Sequence, residues 1–128
     1  MNSFHRPKTL AEVASHIAKG ADAGYVIKDF LHEFQDAPSR SAFEAAPEKL
    51  EGTVSEGRRL DAFLQALAVY LSCRVDSDPP PWTQNMIQLA DPWFASPGPA
   101  IRNYLLMSSP TPFRNRNLFI DEDSLSVL

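Results

Sequence analysis

The chain has 128 residues, enough for one domain around one core, and its 44% apolar and 22% charged content excludes a wholly disordered polypeptide. A formal charge of −4 provides no overall attraction to nucleic acid or anionic lipid. One cysteine rules out an intrachain disulfide, and no apolar run approaches the roughly 18 residues of a membrane-crossing helix. The opening MNSFHRPKTL has no apolar signal core, so the expected location is cytoplasmic.

Residues 1–8 read as a mobile arm. The spacing of Leu10, Val13, Ala14, Ile17 and Ala18 predicts a first helix over Thr9–Lys19. Thr9 and Glu12 form a T-x-x-E capping box, and Gly20 suits the left-handed position after the last turn. Asp22 is placed to cap a second helix over Ala23–Gln35. Val26, Ile27, Phe30, Leu31 and Phe34 share its inner face, with Lys28, Asp29, His32 and Glu33 on the solvated side. A brief third helix over Ser39–Ala46 is expected to be capped by Ser39, anchored by Phe43 and stopped by Pro47. EKLEGTVSEG reads as a polar connector.

The segment from Arg58 to Arg74 is the expected centre of the fold. Leu60, Phe63, Leu64, Leu67, Ala68 and Leu71 follow helical spacing, and Ala62, Ala66, Val69, Tyr70 and Cys73 spread apolar character round most of the helix. Only Asp61, Gln65 and Ser72 leave a narrow polar strip. A helix of this kind is wrapped by other elements, and its cysteine reads as a buried, inert thiol.

Most of the eleven prolines lie beyond residue 78. Pro79–Pro81 impose an extended segment. A short amphipathic helix is expected over Thr83–Leu89, then a turn begun by Asp91 and Pro92 that carries Trp93 and Phe94. A helix over Ala100–Met107 would pack Ile101, Tyr104, Leu105 and Met107. Thr111 is a candidate cap for a turn around Phe113, Leu118–Ile120 is a strand or extended segment, and Asp121 could cap a last turn over Glu122–Val127. The rings of Trp82, Trp93, Phe94, Tyr104, Phe113 and Phe119 are too much apolar area to leave in water, so this third should clamp onto the helices, with Trp82 and Trp93 as its main anchors. The expected fold is therefore a single mostly α domain over residues 1–128. It is a small helical bundle over 9–74 around the central helix, closed by a proline-rich, aromatic, loop-rich clamp over 75–128.

No catalytic or metal-binding constellation stands out. Glu12 with His16, and Asp29 with His32 and Glu33, could each present ligands together, but amphipathicity already explains both sets, and a closed metal site needs about four ligands. The cysteine has no histidine nearby in sequence, and neither a nucleophile elbow nor a phosphate-binding glycine loop is present. No cofactor is implied. The segment from Phe113 to Asn117 offers Arg114 and Arg116 to phosphates or base edges, or to the acidic Asp121, Glu122 and Asp123. Exposed aromatics in a loop-rich region are also typical material for a protein interface.

Three blocks carry a resemblance: residues 9–34, TLAEVASHIAKGADAGYVIKDFLHEF; the RRLDAFLQALAVYLS helix; and residues 80–126, with KDFLHEF, DPWF and SPTPFRNRNLFID the most distinctive parts. Their order resembles a family of small bacterial helical proteins. Related segments follow helix-turn-helix domains in some regulators, and some members look like antitoxin-type partners of nucleotidyltransferase-like toxins. The resemblance implies intracellular regulation through a protein partner and supplies no catalytic residues. This chain lacks the regulator form's leading DNA-binding domain, so direct DNA recognition is not implied. The first expectation is thus a non-enzymatic interaction module, an antitoxin-like subunit or homodimer, using Trp93, Phe94, Tyr104, Phe113, Arg114 and Arg116. The alternatives are a nucleic-acid-binding accessory protein using the Arg114–Arg116 segment, and an enzyme with an unrecognised acidic site.

Overall fold

A computed structural model describes residues 6–96 and 98–125. The first five residues of the expected arm, Pro97 and the Val127 end of the expected last turn lie outside that range. The described fold is mostly helical: α1 (Leu10–Ala18), α2 (Ala23–Asp36), α3 (Ser41–Glu44), α4 (Gly57–Arg74), a 3-10 turn at Pro81–Thr83, β1 (Trp93–Phe94), α5 (Pro99–Ser108), α6 (Thr111–Arg114), β2 (Leu118–Phe119) and a final 3-10 turn at Glu122–Leu125.

The first two helices begin and end where their local chemistry directs. The Thr9 hydroxyl accepts from the Glu12 amide at 3.1 Å, while the Glu12 carboxylate reaches past Thr9 to the Lys8 amide at 2.6 Å. The end of α1 is a Schellman motif. Gly20, at φ 103°, donates to Ile17 O, and Ala21 donates to His16 O, each at 3.0 Å. Asp22 caps α2 by accepting from the Tyr25 amide at 3.1 Å. The helix α3 is only four residues long. Ser39 does not cap it; its hydroxyl accepts from the Ser41 amide, and Arg40 occupies the cap position.

Every residue of α4 from Leu60 to Ala68 is buried, including Asp61 and Gln65, and Ser72 is buried one turn from the end. The narrow polar strip is therefore an interior seam with partners for its polar atoms. The Asp61 carboxylate accepts from the amides of Leu50 (2.8 Å) and Glu51 (3.0 Å). Those bonds, and the fully buried Leu50 side chain, pin an otherwise largely exposed polar connector to α4. Gly57 completes the closure: a β-carbon there would collide with the Leu50 carbonyl, which lies against the start of α4. Cys73, by contrast, is exposed. It sits in the last turn, where the wrapping ends, so the expectation of a buried thiol is corrected.

The C-terminal third does close onto the helices, by a different route from the expected one. No helix forms over Thr83–Leu89 beyond the 3-10 turn, because the backbone groups there bond to distant partners. The Ile87 amide donates to Gln65 Oε1 (3.0 Å), the Leu89 amide to Arg116 O (3.2 Å), and Asn117 Nδ2 to Leu89 O (2.9 Å). Trp93 and Phe94 form a strand instead of a helical turn. They pair in parallel with Leu118 and Phe119, the Trp93 amide donating to Asn117 O and the Ala95 amide to Phe119 O, each at 2.9 Å. Parallel strands need a crossover, and α5 and α6 supply it. Pro110 rather than Thr111 stands at the start of α6. Neither indole is the main anchor. Trp82 and Trp93 are half-buried, whereas Phe113, Leu118, Ile120 and Leu125 are buried in one apolar cluster with α1, α2 and α4.

Candidate interaction surface

The site residues expected from sequence divide by burial. Phe113 is wholly buried, its ring 5.2 Å from Phe63 and 6.2 Å from Tyr70 in edge-on geometry. Arg116 is 4% exposed and donates from Nε to Gln65 Oε1 at 3.2 Å and from a terminal nitrogen to Pro112 O at 2.9 Å. Burial holds its guanidinium below the ordinary arginine pKa, because desolvation disfavours the charged form. These two side chains are latches of the clamp, so the expectation that they face a partner is corrected. The acids Asp121, Glu122 and Asp123, also weighed as partners for the arginines, do not hold Arg116.

Two more of the six residues are half-buried. Trp93 stands edge-on to Phe63 at 6.3 Å, with the Arg59 guanidinium 4.6 Å above its ring. Phe94 stacks on Phe119 at 5.0 Å, with Arg102 4.7 Å above it. Only Tyr104 and Arg114 stand exposed.

The helix carrying Tyr104 departs most from expectation. Of the apolar side chains of α5, Leu105 is 1% exposed, while Ile101, Tyr104, Leu106 and Met107 are 45%, 52%, 44% and 83% exposed. Among the described apolar side chains of α5, Leu105 alone enters the body. Ser109 fastens the end of the helix: its hydroxyl donates to Leu105 O at 2.6 Å and accepts from the Ile120 amide at 2.9 Å. Helical spacing sets Tyr104 and Met107 on one outward face with Ile101 at its edge. The sequence leads one to expect Ile101, Tyr104 and Met107 to pack because they are apolar, while also offering Tyr104 to a partner. The contrary signal is their arrangement: Leu105, Leu106 and Met107 run consecutively, and the apolar positions form no single stripe between the flanking prolines.

The other chemistry considered finds no assembled site. Among the described residues, no three His, Cys, Asp or Glu side chains come together in a geometry that could hold a metal ion. No helix of the described chain is long and apolar enough to cross a membrane. The Tyr70 phenol is held away from its ordinary pKa. Burial, then its hydrogen bond to the Glu122 carboxylate (2.9 Å), raise it above 10.0, against an opposing bond from Arg74. A phenol raised on folding contributes stability that is complete below its unfolded pKa and lost as pH climbs through the folded value. Urea midpoints measured from pH 8 to 12 should therefore fall more steeply above pH 10 in the native chain than in Tyr70→Phe. At neutral pH that variant should lose about 1 kcal/mol, the worth of one hydrogen bond.

No family model matches the chain, and no curated protein or solved structure matches it either.

Proposed function

We propose that this chain is a non-enzymatic protein-interaction module whose contact surface is α5. The observation that carries the reading is the outward display of Ile101, Tyr104, Leu106 and Met107 from a helix on which Leu105 alone, among the described apolar side chains, is buried. Large apolar side chains left exposed on one helix are a common mark of a binding face, and Tyr104 one turn from the flexible Met107 suits such a contact. Arg102 lies on the same helix and Arg114 on the following one, and neither forms an ion pair with a described residue. A partner with an apolar groove and acidic rim fits this chemistry, the arginines giving bidentate contacts to carboxylates. The finer reading is an antitoxin-like regulatory subunit that restrains its partner, and it rests on the resemblance of the three sequence blocks. Binding of nucleic acid through the Arg114–Arg116 segment is the weaker alternative, since one of its two arginines is buried under Gln65.

The test is co-purification from the native host with the wild-type chain and with Tyr104→Glu/Met107→Glu. Both substitutions lie on an exposed face, so the thermal midpoint should stay within a few degrees of wild type. One stoichiometric protein retained by wild type and lost from the double variant is the expected result. Recovery of nucleic acid alone, released steeply as salt rises, would overturn it.

A further inference from the structure

A cleft of about 380 Å³ opens between α2, α4 and the final turn, within the size range of small-molecule sites. Its walls are apolar: Leu60 and Phe63 from α4, Ile27 from α2, and Ile120 and Leu125 from the C-terminal segment, with the half-buried Trp93 indole at one side. The polar side chains lining it are Lys28, Arg59 and Ser124, which bring two positive charges and a hydroxyl but no carboxylate. Lys28 is exposed and makes no ion pair with a described residue. Arg59 gives its Nε to Glu56 at 2.7 Å, which leaves its two terminal nitrogens over the Trp93 ring as further donors.

We propose that this cleft binds a small amphipathic carboxylate of the medium-chain fatty-acid class, its chain against the apolar walls and its head group on Lys28 and Arg59. The match is one of charge as well as shape. A carboxylate only accepts hydrogen bonds, and Lys28 and Arg59 only donate them, in a chain whose net charge is −4. Burial of each methylene adds to affinity, so a chain of about eight to ten carbons supplies the binding while the cations select the head. This site is separate from the α5 surface and stands or falls independently of it.

The experiment titrates decanoate, below its micellar concentration, into the full chain at pH 7 and follows proton–nitrogen correlation spectra. The Trp93 indole and Gly24 amide report on the cleft, and the Trp82 indole, on the opposite side of α4, serves as an internal control. Saturable shifts at Trp93 and Gly24 with Trp82 unmoved are expected, with a Kd below about 1 mM. Lys28→Met, at an exposed position where the fold is safe, should weaken decanoate about tenfold and leave decanol unchanged, since a charged contact is lost. Ile27→Trp, which fills the cleft, should abolish both. Met107→Glu should leave the affinity as it was, whatever its effect on partner binding. Absence of a saturable shift, shifts spread equally to Trp82, equal affinity for decanoate and decyltrimethylammonium, or indifference to Lys28→Met would each overturn the proposal.

Discussion

Replacing Phe113 by alanine is expected to cost about 3–5 kcal/mol of folding stability, the range for a fully buried aromatic ring. The ring is 0% exposed and stands between Phe63 and Tyr70, so its removal leaves a void bounded by α4 that the short helix α6 has little freedom to fill. The void would also loosen the segment that leads into β2. Chemical denaturation followed by far-ultraviolet dichroism measures the loss directly. Trp93→Ala, at a half-buried position, should cost less. A reversed order would mean that the indole, rather than the Phe113 ring, holds the clamp.

The second large effect is expected at Gln65. Its side-chain oxygen accepts from the Ile87 amide (3.0 Å) and from Arg116 Nε (3.2 Å), and its nitrogen donates to Asn85 O (3.0 Å). One amide thus ties the helix to two separate stretches of the clamp. Gln65→Leu preserves the bulk of the side chain but strips the buried Arg116 guanidinium and the Ile87 amide of a shared acceptor. Hydrogen bonds to charged groups are worth about 1.5–3 kcal/mol, and each abandoned buried group adds about 1–3 kcal/mol. A loss of about 3 kcal/mol or more follows. Adding Arg116→Met removes the stranded charge, so the double variant should recover part of the stability lost by Gln65→Leu. A double-mutant cycle that finds the two effects additive would show that the latch carries no coupling.

These two residues mark where sequence reading succeeds and where it stops. The helices α1 and α2 are legible because a one-sided apolar period and a local cap act over a few residues, as at Thr9, Asp22 and Gly20, and α4 because its apolar character runs round most of the helix. The burial of Phe113 followed from ring area alone in one reading, yet the same ring was equally plausible at an interface, and nothing local separates the two. The burial of Asp61, Gln65 and Arg116 is not legible locally, because the bonds that place them span 10 to 51 residues of chain. The parallel pairing of Trp93–Phe94 with Leu118–Phe119 was invisible for the same reason. Asp91–Pro92 is locally a sound helix start, and the distant carbonyls of Asn117 and Phe119 override it. The segments KDFLHEF, DPWF and SPTPFRNRNLFID, distinctive in the resemblance, correspond to α2, β1 and the α6–β2 latch. They build the fold more than they display a surface.

The α5 face is legible only at Tyr104, which the sequence offers both to the core and to a partner; Ile101 and Met107 are expected in the core. Apolar residues were assigned to the core by type, but a ten-residue helix tethered at Leu105 and Ser109 has only one side to bury. The exposure of Ile101, Leu106 and Met107 follows from the place of α5 in the crossover between the two strands.

Native-state hydrogen exchange tests the central claim that the C-terminal third is bolted to α4 while α5 is held at its surface. The amides of Ile87, Trp93, Ala95 and Ile120 bond to Gln65, Asn117, Phe119 and Ser109 respectively. They should exchange only with global unfolding, at the same free energy as Leu64 and Leu67 in α4, while the amides of Asn103 to Met107 open at a lower one. Exchange of those four amides long before the α4 helix, or α5 protected as fully as α4, would contradict it.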